Sequence, residues 1–279
     1  MTAGALIFAF DNEATDFVAM ANWSAVRIKH FLDLPTAIVT DRPDLCINAD
    51  RVITVQAQSG GHRWFEDYDQ TVTWYNAART DAYALSPWDQ TLVLDADYVV
   101  NSAMLRSVLD TDQDFLCFDR AVNIGQAEHE FMPGFGRYNL PMSWATVMAF
   151  RKTAATAWIF QSMTMIRQHW QHYRDLYGIG ETNYRNDYAL SIALALVNGS
   201  SPSAKAIPWP MFTVLPSHKL TVTELDELCL WHVEYRDSDG TRRTTAMSGM
   251  DFHAMGKRDL GAIVESHPRA GLSHTSTGH

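Results

Sequence analysis

Apolar runs and helical stripes alternate along the first two hundred residues. Residues 4–10 (GALIFAF) are continuously apolar, as in a strand covered on both faces. Residues 15–32 carry a helical period, with Phe17, Met20, Val26 and Phe31 as core candidates. Short apolar stretches at 36–39 (TAIV) and 51–55 (RVITV) predict two more strands, the first broken by Asp41-Arg42-Pro43. A helix is predicted over 73–85, followed by a Ser-Pro-Trp-Asp turn, a strand at 91–94 and another at 114–119. Residues 120–142 lack a period and read as a loop region. Residues 144–150 predict a strand, and 154–177 and 186–197 two helices. Four prolines make 199–216 extended or looped, and the residues after Val264 read as a disordered tail.

Strands and helices in alternation predict an α/β fold with a mainly parallel sheet. The expected organisation is a single domain over 1–264 and a tail over 265–279. The composition, 47% hydrophobic and 19% charged, supports a sizeable core. A formal charge of −10 argues against a protein that grips nucleic acid over its whole surface, so a polyanionic partner needs a local basic patch. Three cysteines, far apart and with no CxxC pair, predict neither a zinc site nor a disulfide framework, and a reducing cytoplasm is the expected location. The apolar N-terminal run has no basic lead, and no stretch approaches the roughly 20 residues of a membrane span.

The strongest chemical signal is TLVLDADYVV, residues 91–100. An apolar strand delivers Asp95 and Asp97 to its carboxyl end, the edge where ligands bind in open α/β sheets. On an extended backbone, side chains two apart point the same way, so both carboxylates face one ion. Mg²⁺ and Mn²⁺ favour such oxygen ligands and share their shell with phosphate. The bland alternative is an acidic turn that merely ends a strand. A second chemistry also fits: haloacid dehalogenase-type phosphatases use DxDx(T/V), matched by Asp95-Ala96-Asp97-Tyr98-Val99, with the first Asp as nucleophile and the second as general acid. That class places its motif near the start of the sheet and needs a late acidic pair, which this chain does not offer. A third possibility is a protein that binds nucleotide sugars without turnover.

Residues 79–100 (RTDAYALSPWDQTLVLDADYVV) resemble the centre of retaining GT-A glycosyltransferases of the glycogenin and lipopolysaccharide galactosyltransferase group. The resemblance implies a Rossmann-like GT-A fold, a divalent cation (Mn²⁺ or Mg²⁺) and a UDP-sugar donor. It places Arg79 where the family has a donor-contacting lysine. Residues 251–257 (DFHAMGK) resemble the family's late HxxGxxK motif, with the lysine two places early. By that resemblance His253 is the third metal ligand beside Asp95 and Asp97, Gly256 allows close approach to the diphosphate, and Lys257 contacts phosphate. The first strand leads into the expected nucleotide-binding loop at Ala9, Asp11 and Asn12, where Asp11 or Asn12 equally suits a helix cap. The family's Asn-Ala-Gly strand appears as Ser143-Trp144-Ala145-Thr146, and its acidic-Gln pair as Asn186-Asp187. Asp187 is then either a catalytic carboxylate near the sugar or the N-cap of the following helix.

The opening residues also resemble uncharacterised phage-encoded nucleotide-sugar transferases. That implies an acceptor hydroxyl on a 5-hydroxymethylated pyrimidine in DNA, with a surface glycan as the other option, and the host cytoplasm as the place of action. Arg167 to Arg174 (RQHWQHYR) interleave basic and aromatic side chains, and Arg236, Arg242, Arg243, Lys257 and Arg258 form a second cationic group. A flipped base needs a pocket, for which Phe131, Phe135, Tyr138 and Trp144 are the candidates.

Overall fold

The computed structural model describes residues 1–75, 77–126, 130–198, 206–224 and 229–267. In chain order, β1 (Ala3–Phe8), α1 (Phe17–Leu32), β2 (Thr36–Thr40) and β3 (Arg51–Thr54) come first. A hairpin follows, β4 (His62–Phe65) and β5 (Gln70–Thr73), then the single turn α2 (Ala82–Leu85), β6 (Gln90–Asp95) and β7 (Tyr98–Val99). Next are α3 (Arg106–Leu109), β8 (Phe115–Phe118), β9 (Ala121–Asn123), β10 (Gly134–Phe135), β11 (Leu140–Pro141) and β12 (Trp144–Arg151). Helices α4 (Ala154–Gln168), α5 (Trp170–Tyr177) and α6 (Asn186–Asn198) lead to β13 (Met211–Val214), β14 (Lys219–Glu224), β15 (Leu230–Arg236), β16 (Arg242–Met247), β17 (Phe252–Ala254) and α7 (Lys257–Ser266).

The central sheet has the order β3-β2-β1-β6-β12-β8. All its strands run parallel except β12, which is antiparallel to both neighbours. Ala5, Leu6 and Ile7 of β1 and Leu92, Val93 and Leu94 of β6 are fully buried, which is why both read as unbroken apolar runs. The architecture is the expected mixed α/β arrangement with a mainly parallel sheet. Helix α1 starts where Asp16 accepts a hydrogen bond from Ala19 N at 2.7 Å and ends at Asp33, in the left-handed region at φ 48°. It packs along β1 and β2, while α4 and α6 pack on each other and α6 on β12.

A smaller sheet, β7-β17-β13-β9, forms beside the carboxyl end of β6. Its strands come from positions spread between residues 98 and 254, and it decides the geometry of the site. The three-stranded sheet β14-β15-β16 lies outside what the apolar runs predicted, as do β9, β13 and the β10–β11 hairpin.

Two predicted helices are different from the pattern. Residues 73–85 hold the end of β5, a 3₁₀ segment (Ala77–Asp81) and α2, and Pro87 keeps Ser86 extended at ψ 130°. The stretch 154–177 breaks at His169, at φ −116° and ψ 35°. The break turns Trp170 inward to stack on Tyr188, at 6.1 Å and 5° between planes, with Nε1 donating to Thr182 O. Of the expected tail, Glu265 and Ser266 belong to α7, and 268–279 lie outside the described residues. Among the described residues, no helix is long and apolar enough to cross a membrane.

Candidate active site

Asp95 is the last residue of β6, and Ala96 and Asp97 make a turn into β7. The two carboxylates therefore meet across a turn between two sheets, not by alternation along one strand. Strand β17 pairs antiparallel with β7, setting His253 opposite Tyr98, and Ala254 N donates to Asp97 O at 3.0 Å. This pairing brings the late motif onto the early one. One ligand atom from each of Asp95, Asp97 and His253 lies within 4.8 Å of the others.

Both carboxylates already have internal cations. Arg79, buried under the sheet, forms an ion pair with Asp95 and donates to Ala145 O at 2.8 Å and Leu94 O at 3.2 Å. Lys257 forms an ion pair with Asp97 and donates to Met255 O at 2.9 Å and Ala254 O at 3.3 Å. His253 Nε2 sits 3.4 Å from Asp97 Oδ2. Burial disfavours charge on Asp97, but Lys257 and His253 outweigh it and hold its carboxyl well below the usual range. Arg79 and Lys257, read from the sequence as phosphate contacts, are thus placed on the acidic pair itself.

Above the pair lies a cavity of about 400 Å³. The ends of β1 and α1 give it Phe8, Phe10 and Phe17, and the β4–β5 hairpin adds Arg63, Phe65 and Trp74. Phe17, Phe65 and Trp74 pack edge to face, with centroids 6.1 to 6.4 Å apart around Trp74. On another wall, Phe131 stacks on Trp144 at 5.7 Å. Of the other aromatics proposed for a base pocket, Phe135 packs against Tyr188 at 4.7 Å and Tyr138 stands exposed beside Tyr177.

Asp187 also lines the cavity. Helix α6 begins at Asn186, so Asp187 lies inside its first turn and is not its N-cap. Its Oδ1 accepts from Ala145 N at 3.0 Å and its Oδ2 pairs with Arg185 at 3.1 Å. Ala145 thus joins the two ends of the site, its carbonyl holding Arg79 and its amide holding Asp187.

The proposed nucleotide loop serves the start of α1. Asp11 Oδ1 accepts from Val18 N at 2.9 Å, and Asn12 Oδ1 accepts from Ala14 N and Thr15 N at 3.0 Å. Ala9 is fully buried, with its N–H on Val39 O. None of Ala9, Asp11 and Asn12 is among the cavity's lining residues; Phe8 and Phe10 are. Gly256 is the N-cap of α7, and its neighbours leave ordinary van der Waals room for a Cβ. Asp67, from the β4–β5 turn, supplies the missing cap by accepting from Arg258 N at 2.9 Å.

The basic segments are largely committed to the protein. Arg167 donates to Ala77 O at 2.6 Å, and Arg174 pairs with Asp175 and Glu181. Arg243 pairs with Asp237 at 2.7 Å, Arg236 donates to Gly240 O, and Arg258 lies over Tyr68. Sequence reading missed Arg63, whose neighbours in GHRWFED carry no motif.

Two carboxylates and one imidazole are a donor set suited to Mn²⁺ or Mg²⁺. The buried Nδ1 of His253 has no hydrogen-bond partner among the described residues, which also fits a group awaiting a ligand.

No family model and no curated protein matches the chain. Several solved structures are similar to it. One is a galactosyltransferase, LgtC, in complex with donor and acceptor sugar analogues: 14% identity, 68% of this chain and 70% of that one covered, TM-score 0.46. Mouse xyloside xylosyltransferase 1 shares 10% identity over 72% of this chain and 83% of its own, with a TM-score of 0.41. For the glycosyltransferase GlyE of Streptococcus pneumoniae TIGR4 the figures are 13%, 74%, 45% and 0.39. All three neighbours are described as transferases of sugars.

Proposed function

We propose that residues 1–264 form one catalytic domain that transfers a sugar from a UDP-sugar to a hydroxyl acceptor, with Asp95, Asp97 and His253 holding Mn²⁺ or Mg²⁺. The observation that carries this reading is the convergence of those three side chains on one point at the cavity floor. Once bound, the cation neutralises charge developing on the departing diphosphate. The chain's own residues do the rest. Aromatic rings around Phe17 and Trp74 give flat surfaces for a base, and Phe131 on Trp144 gives one for a sugar or an acceptor. Asp187, held by Ala145 N and Arg185, presents a positioned carboxylate to cationic character on the sugar. The resemblance adds retention of configuration as the expected stereochemistry.

The environment of Asp97 speaks against the phosphatase alternative. A general acid must carry a proton to donate, and Lys257 and His253 keep this carboxyl deprotonated. The acceptor in this proposal is a 5-hydroxymethylated pyrimidine in DNA. The test is incubation with Mn²⁺, a panel of UDP-sugars and DNA containing hydroxymethylcytosine or hydroxymethyluracil, followed by nucleoside mass spectrometry. A hexose or pentose mass on the modified base supports the whole reading. Sugar release without transfer to DNA removes the DNA acceptor and keeps the donor. Phosphomonoester hydrolysis with no sugar release overturns the transferase.

A further inference from the structure

Among the described residues, four cationic side chains border the cavity, apart from His253: Arg63, Arg79, Arg185 and Lys257. Three are matched to carboxylates, Arg79 to Asp95, Lys257 to Asp97 and Arg185 to Asp187. Arg63 is not. Among the described residues its side chain makes no ion pair and donates no hydrogen bond within the protein; its guanidinium lies 4.8 Å over the ring of Trp74. The strand alternation of β4 sets Arg63 and Phe65 on the inner face, between exposed His62 and Trp64. Burial, reinforced by the nearby Arg185, pulls its pKa below the ordinary arginine value. Arginine nevertheless keeps its charge in proteins, so the group stays a cation with five unused donors in a fixed fork.

The hairpin that carries Arg63 is fastened from several sides. Asn183 donates to His62 O at its entry. Glu13 accepts from Thr73 N at 2.9 Å and Thr73 Oγ1 at 2.7 Å at its exit. Asp67 at its turn is tied to Arg258 N. The backbone that carries Arg63 is therefore fixed before any ligand arrives, and the ring of Trp74 backs its guanidinium, which lowers the ordering cost of binding. Arg63 is partly buried, and Asp187, Asp97 and Asp95 attract it without bonding to it, so its donors remain open to an anion that reaches them directly.

We infer that Arg63 is the anion receptor of this cavity, binding phosphate or carboxylate oxygens of the substrate through its free guanidinium face. The inference rests on the proposal that the cavity takes a nucleotide sugar. Two parts of such a substrate carry the chemistry: the donor's diphosphate, or an acidic group on the transferred sugar such as a uronate.

Calorimetric titration of the wild-type protein, Arg63→Gln and Arg63→Lys with UDP, UDP-glucose and UDP-glucuronate in Mn²⁺ separates the cases. If the diphosphate is the ligand, Arg63→Gln weakens all three by about tenfold or more, with Arg63→Lys in between. If the sugar carboxylate is the ligand, only UDP-glucuronate is weakened. Equal affinities for all three in wild type and Arg63→Gln overturn the inference and leave the transferase proposal standing. A wild-type protein that binds none of them overturns that proposal and this inference with it. Melting temperatures give an independent reading: Arg63→Gln melts within a few degrees of wild type, because it gives up the contact with Trp74 but no side-chain hydrogen bond or ion pair. A collapse of the fold in both variants would overturn the inference by giving Arg63 a structural role.

Discussion

Lys257 and Asp97 form an ion pair at the cavity floor with side chains only 10% and 6% exposed. Two charges so far out of water depend on each other, because removing either leaves an uncompensated buried ion. Asp97→Asn and Lys257→Met should each cost about 3 kcal/mol or more. The double variant removes both charges and should cost clearly less than the sum of the two. Urea unfolding of the three variants measures this; strict additivity would show that the pair is not coupled.

Asp251, 7% exposed, accepts from Asn101 N at 2.7 Å. Burial outweighs its hydrogen bonds and the pull of Arg27, and pushes its carboxyl up to about 6. The folded state thus binds this proton more tightly than the unfolded chain. The contribution to stability is full below about pH 4 and is lost as pH rises through about 6, amounting to roughly 3 kcal/mol. Asp251→Asn keeps an acceptor for Asn101 and should flatten that part of the profile. Thermal melts of both proteins from pH 4 to 7 in metal-free buffer give the comparison, and parallel profiles would refute it.

Asp187→Asn preserves the acceptor for Ala145 N and loses the ion pair with Arg185. Sugar transfer should fall by on the order of 100-fold. Mn²⁺ affinity should hold, since Asp187 is outside the cluster of Asp95, Asp97 and His253. Steady-state kinetics alongside metal titration tests both halves; an unchanged turnover would remove Asp187 from the chemistry.

Gly136 joins β10 to β11 at φ +68°, and a Cβ there would run into the carbonyl oxygen of Tyr177. That carbonyl also accepts from Arg137 N at 2.9 Å, which docks the hairpin on the end of α5. Gly136→Ala should destabilise by about 1–3 kcal/mol through strain and overlap. Denaturant midpoints report it, and a shift within error would mean that the hairpin gives way freely.

The central sheet was legible because β1, β2 and β6 are buried on both faces, so their sequences are unbroken apolar runs. The Asp-Ala-Asp motif was legible for the same reason: a polar ending on such a run stands out. What joins the site together has no local signal and was expected only through the family resemblance of residues 251–257. The register of β17 against β7, which carries His253 and Lys257 to Asp97, is a long-range pairing of two very short strands with no local signature. Strand β15 alternates, with Trp231 and Val233 fully buried between half-buried neighbours, but it forms no unbroken apolar run, and the β14-β15-β16 sheet went unpredicted. The break at His169 escaped notice because histidine is no helix breaker; the inward turn of Trp170 decides it. The helix cap expected at Asp11 or Asn12 is Asp16; Asp11 adds an acceptor for Val18 N, Asn12 holds the turn before the helix, and neither lines the cavity.

The most direct test of the account is the binding of Mn²⁺ in the presence of UDP, followed by the electron paramagnetic resonance signal of free Mn²⁺. His253→Ala is the informative variant, since it gives up a 3.4 Å contact with Asp97 but leaves the ion pairs of Arg79 with Asp95 and Lys257 with Asp97 in place. The wild-type protein should take up one ion per chain, and His253→Ala should bind it at least about tenfold more weakly while remaining folded. Equal uptake by the two proteins, or none by either, would contradict a metal site built from Asp95, Asp97 and His253.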